Sequence, residues 1–338
     1  MKQTLFIRQL ASYFYTHLPH VRNCSSNTIT SYADSFALLF QFMQEKKGVA
    51  HTKVDYKKFT PVFMEEFILW LSHERGYSAA SVKQRFSAIT SFMKYASRRD
   101  MAALNAYTVV AGTEKPKVVK SAFPYFTLEE MRVLLRLPKP DKKIGKRDLV
   151  LLSVFYDSAA RAQELCDLKV GDVKFGSPTK LRLIGKGRKS REIAVTSDVA
   201  DLLRYHIKEN GLEKQSPLFA SQSGDKMTTA CIRNIVDKYV ALAKDSYPDM
   251  FFEPKYSPHS FRHSKAVHMV ESGSQLIYIR DFLGHATVQS TEIYAKIGQH
   301  ALAKMLTERT NHIAPLSEKS VSEDFGAYPK FLDTARRK

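Results

Sequence analysis

The segment from 258 to 294 constrains this chain more than any other, because it combines helical periodicity with a dense set of reactive side chains. Apolar residues recur there at helix-like spacing, and Gly273 and Gly284 separate two helical runs. His259 and Arg262 lie three residues apart at the start of the segment, so a helix would project both from one face.

The segment continues with the tripeptide Leu-Gly-His, which ends at His285, and with Tyr294 nine residues later. Arginine binds phosphate oxygens with two N–H groups, histidine transfers protons near neutral pH, and tyrosine forms covalent adducts. The four residue types together suit chemistry on a phosphodiester. Taken singly, each motif is weak, since a lone tyrosine on an apolar helix face is usually part of a core.

The net charge of the chain indicates a polyanionic partner. Its 338 residues carry 52 Lys and Arg against 34 Asp and Glu, a formal charge of +18. The excess is +7 over residues 1–110 and +11 over the remainder, so both parts are basic. Nucleic acid is the most common partner of such a chain, although anionic lipid or simple solubility would also account for the charge.

The periodicity predicts a mainly α fold in two domains. Residues 1–110 read as a small helical bundle, 111–122 as a polar linker, 123–309 as a mixed helical domain with a small antiparallel sheet, and 310–338 as a tail. Helices are predicted at 5–18, 27–47, 60–76, 78–99, 101–110, 127–138, 148–156, 197–210, 228–245, 258–272, 274–283 and 288–297, and strands at 170–175, 180–184 and 191–195.

One helix of the predicted bundle has a basic face opposite its apolar stripe. Five basic residues lie between positions 83 and 99 with no acidic residue before Asp100. We predict that this face contacts DNA rather than being merely solvated. Its basic residues are Lys83, Arg85, Lys94, Arg98 and Arg99.

Three other features limit the class of protein. The three cysteines, Cys24, Cys166 and Cys231, show neither metal-ligand spacing nor a disulfide framework. No apolar run approaches the roughly 18 residues that a bilayer crossing needs, and the first residues lack the core of a signal peptide. The sequence therefore predicts a cytoplasmic protein without a metal site and without membrane association.

Two further sites complete the set of phosphate-directed residues. Arg161 follows an apolar helix, and Glu164 lies three residues later, where it would orient a neighbour; Lys186 lies on the glycine-rich turn of a predicted hairpin. With these motifs the chain resembles the tyrosine site-specific recombinases, the family of phage integrases and Xer recombinases. The matching pieces, in order, are RAQEL from Arg161, GKGRKSR from Gly185, HSFRHS from His259, LGH ending at His285, and Tyr294.

The resemblance implies an enzyme that breaks and rejoins DNA through a 3′-phosphotyrosine, with no metal, ATP or other cofactor. Tyr294 would be the nucleophile, Arg161 and Arg262 would bind the two non-bridging oxygens, and His285 would donate a further hydrogen bond. Ala160 departs from the family, where a glycine often precedes the first arginine. Alanine in place of that glycine should cost little stability if the φ angle of Ala160 is negative.

Proton transfer would fall to two other residues. His259 is the predicted acceptor of the tyrosine proton, because a phenol has a pKa of about 10. Lys186 is the predicted proton donor to the leaving 5′-oxygen, with Lys189 as the alternative in the same hairpin. Arg188 and Lys189 would also contact DNA.

The resemblance further implies double-stranded DNA with specific recombination sites and a homo-oligomer, a tetramer, on that DNA. The two basic domains would form a clamp around the duplex, and the tail would either pass to a neighbouring protomer or fold back. Integration, excision, transposition of a mobile element and dimer resolution are all open as the biological role. A type IB topoisomerase and a DNA-binding regulator without catalysis are the alternative functions.

Overall fold

The computed structural model describes residues 3–118, 123–185, 189–221, 223–284, 287 and 291–294. The chain divides into two compact units, Met1–Ser121 and Ala122–Lys338, and the division falls within the predicted linker. Among the described helices, none has both the length and the apolar character that crossing a bilayer demands.

The first unit is built from helices, as the sequence predicted. Side-chain caps begin most of them: Thr60 bonds to the amide of Phe63 before a proline at the first helical position, and Ser78 bonds to the amide of Ser81. The helices of this unit are α1 (Leu5–Ser12), α2 (Ser26–Lys47), α3 (Pro61–Leu69), α4 (Ala79–Ser97) and α5 (Met101–Gly112).

Several helix boundaries in the first unit differ from the prediction. Helix α2 begins at Ser26, before the predicted start at 27, because the hydroxyl of Ser25 caps it by accepting a hydrogen bond from the amide of Thr28. Helix α1 continues as a wider π-helical segment, Tyr13–Val21, which accommodates Pro19. An aromatic core that includes Phe6, Tyr13 and Phe92 holds these helices against α4.

The second unit combines seven described helices with a three-stranded antiparallel sheet in the order β1-β2-β3. Its elements are α6 (Leu128–Arg136), α7 (Lys143–Ser158), α8 (Ala162–Asp167), β1 (Val173–Lys174), β2 (Lys180–Ile184), β3 (Ser190–Ala194), α9 (Ser197–Glu209), α10 (Thr229–Ser246), α11 (Pro258–Glu271) and α12 (Leu276–Leu283). The mainly α fold class with a small sheet is confirmed.

The predicted first strand is mostly wrong. Residues Val170–Asp172 form a short 3₁₀ turn, and only two residues pair with β2. The turn forms because the carboxylate of Asp172 accepts a hydrogen bond from the backbone amide of Lys169, and the amide of Gly171 bonds to the carbonyl of Lys214. Helix α7 is also longer than predicted. Of the predicted helix 288–297, only 291–294 lies within the described residues, and the tail lies outside them.

Candidate active site

The junction between α7 and α8 positions Arg161. Helix α7 is followed by its C-cap residue Ala159, whose backbone is left-handed with φ of 45°. The chain then turns sharply into α8 with Arg161 as its N-cap residue. Ala160 is not among the residues with positive φ. An alanine there is therefore unstrained, and the left-handed conformation falls on Ala159 instead.

The carboxylate of Glu164 is the anchor of the arginine cluster. It accepts two hydrogen bonds from Arg161, from the backbone amide at 2.8 Å and from Nη1 at 2.7 Å. It accepts two more from Nη1 and Nη2 of Arg191, at 2.9 and 2.8 Å. Burial alone would raise the pKa of Glu164, but the bonds from Arg191 and Arg161 outweigh it and lower the pKa to about 2. The buried carboxylate of Glu164 thus fixes the positions of the guanidinium groups of Arg161 and Arg191.

The depressed pKa predicts an acid-sensitive contribution to stability. Glu164 is only 4% exposed, and a glutamate in an unfolded chain titrates near pH 4.3. Because the folded pKa is the lower one, the stabilisation is present above about pH 5 and is lost as the pH falls toward 2. Its size is on the order of 3 kcal/mol at pH 7. Denaturation of Glu164→Gln should show that deficit at pH 7 and about half of it at pH 3.

Glu213→Gln is the matched control for that experiment, since Glu213 is exposed. The control should follow the wild type at every pH. A Glu164→Gln deficit that stays constant from pH 7 to pH 3 would show that the ionised carboxylate is not the source of the stabilisation.

Arg191 is a site residue that sequence reasoning missed. It lies on β3, and besides Glu164 it bonds through Nε to the carbonyl oxygen of Phe282 at 3.2 Å. Its side chain lies close against Gly284, where an added Cβ would come within 2.9 Å of Cδ of Arg191. Arg191 therefore braces the turn after α12. The only available signal was its place at the end of the GKGRKSR motif.

Arg262 is buried in the same region, near the start of α11. Its Nη1 donates to the carbonyl of Ala159 at 2.8 Å, and its Nη2 donates to the carbonyl of Leu283. Burial, together with the charges of Arg161 and Arg191, lowers its pKa to about 10, so the guanidinium stays charged at neutral pH. It joins the end of α7 to the end of α12 and leaves N–H groups of the same nitrogens for a ligand.

His259 lies beside these arginines and is accessible to solvent. Desolvation by the surrounding protein lowers its pKa, and the positive charges of Arg262, Arg161 and Arg233 lower it further. The imidazole is therefore neutral at pH 7. A neutral ring retains one N–H donor and one acceptor nitrogen, and both are useful next to a phosphodiester.

Tyr294 lies in the same unit, with its ring buried among Ala159, Ala266 and Val267. Its hydroxyl is 2.8 Å from Nδ1 of His263. Burial raises the pKa of Tyr294, and the charge of Arg262 opposes that rise.

The histidine that the structure places on the Tyr294 hydroxyl is thus His263, whereas the sequence assigned that place to His259. Both histidines belong to the HSFRHS motif, four residues apart on one helix face, so spacing could not tell them apart.

Three of the predicted site residues, Lys186, Arg188 and His285, lie outside the described residues. Lys189 is described and exposed, and its carbonyl accepts a hydrogen bond from the amide of Gly185 at 2.8 Å, which closes the base of the predicted basic hairpin. Within the described part of the chain, His, Cys, Asp and Glu side chains form no group of three or more arranged for a metal ion.

The basic residues of the predicted DNA-binding face of α4 differ in their exposure and contacts. Lys83, Lys94 and Arg98 are exposed on it. Arg99 is exposed too, but its guanidinium lies 4.0 Å from the centroid of the Tyr95 ring. Arg85 differs from these residues, because it is only half-exposed and its Nη1 donates to the carbonyl of Ser31 at 3.3 Å, which ties α4 to α2.

This division predicts different effects for the basic residues of α4. Each lysine that binds a phosphate contributes about 0.9 to the slope of log K against log salt. Lys83→Gln with Lys94→Gln should therefore reduce that slope by about 2, as measured by DNA binding at several salt concentrations. Arg85→Gln is the matched control, and it should lower the melting temperature while leaving the slope unchanged. Equal slopes for wild type and the double variant would place the DNA elsewhere.

Residues 124–300 match the phage integrase family, and residues 11–100 match the phage integrase N-terminal SAM-like domain. The chain belongs to the phage integrase family. It is a tyrosine site-specific recombinase, an enzyme that cleaves and rejoins DNA strands, and the resemblance inferred from the motifs is confirmed.

Individual relatives extend over most of the chain. It is 28% identical over 317 residues to the tyrosine recombinase XerC of Thermodesulfovibrio yellowstonii, covering 90% of this chain and 96% of the relative. It is 27% identical over 299 residues to the putative integrase/recombinase y4rC of Sinorhizobium fredii, covering 87% and 90%.

Solved structures show the same fold. A XerH site-specific recombinase bound to a palindromic difH substrate superimposes with a TM-score of 0.67 at 19% identity, covering 90% of this chain and 88% of that one. The Tn1549 transposon integrase in complex with circular intermediate DNA gives 0.63 at 16% identity, covering 87% and 95%.

Proposed function

We propose that this recombinase cuts DNA by attack of Tyr294 on a phosphodiester, which forms a 3′-phosphotyrosine and releases a 5′-hydroxyl. One observation carries the assignment. The hydroxyl of Tyr294 is held by a histidine within the unit that contains the buried, charged Arg262 and the Arg161–Glu164–Arg191 cluster. Nucleophile, proton acceptor and cations therefore come from one chain.

The arginines supply the electrostatic part of the reaction. A phosphodiester gains negative charge as the nucleophile adds, and cations fixed in advance stabilise that charge without reorganisation. We assign Arg161 and Arg262 to the two non-bridging oxygens. The side chain of Arg161 is 36% exposed, so it can meet DNA, while Glu164 holds its position. Lys186 and His285 keep their predicted roles as proton donor and hydrogen-bond donor.

The two histidines have different partners in the proposed site. His259 was predicted to accept the tyrosine proton. We assign its neutral imidazole N–H to the phosphate instead, because the charges of Arg262 and Arg161, which would bind that phosphate, act on its ring. His263 makes the hydrogen bond to the nucleophile. Either ring is chemically able to take a proton at neutral pH.

Strand exchange follows from the reversibility of the covalent step. The phosphotyrosine retains the energy of the broken bond, so a 5′-hydroxyl from another strand can reverse the attack and reseal it. Exchange between two duplexes needs four such sites, and we propose a homotetramer assembled on paired recombination sites in the cytoplasm. The relative named as a putative integrase/recombinase and the structural neighbour named as a transposon integrase support the movement of a mobile element as the biological role, with dimer resolution as the alternative.

The decisive experiment traps the covalent adduct. Wild-type protein would be incubated with a library of nicked duplexes, in which the cut strand loses its 5′-hydroxyl fragment and cannot be resealed. Sequencing the trapped DNA identifies the site, and mass spectrometry of the digested protein identifies the linked residue. We expect a nucleotide 3′-phosphate on Tyr294.

Three other results would contradict the proposal. An adduct on a different tyrosine would reassign the nucleophile. Relaxation of supercoiled DNA that lacks the trapped site would favour a topoisomerase. DNA binding with no adduct on any substrate would favour a regulator without catalysis.

A further inference from the structure

The hydrogen bond between His263 and Tyr294 is part of a packed arrangement of three rings. The His263 imidazole stacks on Phe123, with centroids 4.2 Å apart and planes 28° from parallel. Phe123 also meets the Tyr294 ring edge-on, with centroids 5.2 Å apart. Phe123 therefore sets the orientation of both partners, and Nδ1 of His263 faces the oxygen that would attack phosphorus.

We propose that His263, and not His259, accepts the proton of Tyr294 during DNA cleavage and returns it during rejoining. The proposal rests on the assignment of Tyr294 as the nucleophile. It makes His263 a catalytic residue, because its nitrogen contacts the reacting oxygen itself.

The position of the two histidines on α11 supports this division. Residues 263, 266 and 267 lie on one face, and Ala266 and Val267 pack in the same cluster as the Tyr294 ring. His263 thus belongs to the part of the helix that receives the tyrosine. His259 lies one turn earlier, with its ring centroid 6.3 Å from that of His263, among the arginines that would bind the phosphate.

The proton transfer balances without any further reactant. A neutral His263 with its proton on Nε2 presents the Nδ1 lone pair to the phenol. As the Tyr294 oxygen bonds to phosphorus, its proton passes to Nδ1, and the bond from phosphorus to the 5′-oxygen breaks. The leaving oxygen takes a proton from its own donor. In the reverse step the imidazolium returns its proton to the departing tyrosine oxygen.

The experiment measures the rate of adduct formation on a nicked site between pH 5 and pH 9. In His263→Asn the amide oxygen takes the place of Nδ1, so the hydrogen bond is kept while proton acceptance is lost. The wild-type rate should fall as the pH drops through the range where histidine ionises. His263→Asn should be slower by about 10²-fold at pH 7. The rate of adduct formation by His263→Asn should instead rise about tenfold per pH unit up to pH 9, because the tyrosine itself ionises.

Two further variants separate a chemical role from a structural one. His263→Ala leaves space for a small base, so added imidazole should accelerate it and should not accelerate His263→Asn. His259→Asn should be slowed as well, but it should keep the wild-type shape of the pH profile. Melting temperature and binding to single-site DNA are measured for each variant, so that a folding defect is recognised.

The opposite pattern would overturn the proposal. If His263→Asn keeps the wild-type rate and pH profile while His259→Asn acquires the steep rise with pH, the acceptor is His259. A slow His263→Ala that imidazole does not accelerate, beside a His263→Asn with the wild-type profile, would leave His263 with a packing role only. The failure of the parent assignment is recognised separately, since Tyr294→Phe would then still form adducts.

Discussion

Tyr294→Phe is expected to abolish covalent protein–DNA adducts completely, while binding to single-site DNA stays within about twofold of the wild type. The reason is that the substitution removes only the hydroxyl group and keeps the ring in place. The attacking atom is lost, but the ring keeps its place against Ala159, Ala266 and Val267. Adduct formation on a nicked site, resolved by denaturing gel, measures the first quantity, and a gel shift measures the second.

The structural cost of this substitution should be small. The variant loses the hydrogen bond to His263, and one such bond contributes about 1 kcal/mol to stability. A cooperative melt close to that of the wild type would therefore separate lost chemistry from lost folding. Tyr278→Phe is the matched control, because Tyr278 is 64% exposed on α12 and should tolerate the change. Adducts that persist in Tyr294→Phe would refute the assignment of the nucleophile.

Arg262→Lys is expected to reduce the cleavage rate by about 10²- to 10³-fold, the usual cost of removing one preorganised donor from a developing oxyanion. The planar guanidinium reaches the carbonyls of Ala159 and Leu283 and still presents N–H groups to a phosphate. A lysine carries the same charge at a single point, so it cannot hold both carbonyls and meet the phosphate.

The same substitution should also destabilise the second unit. Arg262 is only 4% exposed, and two buried carbonyls would compete for one ammonium group. We expect a loss of about 1–3 kcal/mol, measured by chemical denaturation. Arg204→Lys is the matched control, since Arg204 is exposed and pairs with Asp201 on the same helix. A fully active Arg262→Lys would mean that charge alone is needed at this position.

Local signals in the sequence predicted much of the fold. Two helices predicted to begin at 127 and 228 do begin there, with Thr127 and Thr228 as their N-cap residues and Glu130 completing the capping box of α6. These predictions succeeded because a cap depends on residues three positions apart. The prediction of the first strand was wrong because the conformation of that segment depends on a hydrogen bond to Lys214, more than forty residues later. The predicted start of α2 was wrong because several neighbouring residues there are equally able to cap a helix.

The sequence by itself determined the family, through motifs that supply Arg161, Lys186, His259, Arg262, His285 and Tyr294 in a typical order. Tertiary structure alone decided which groups meet. It turned Arg85 onto α2, joined Arg191 to Glu164 and Gly284, and put His263 on the Tyr294 hydroxyl. The physical reason is that helix periodicity fixes the face on which a side chain lies, whereas its partner is fixed by packing between elements distant in the chain.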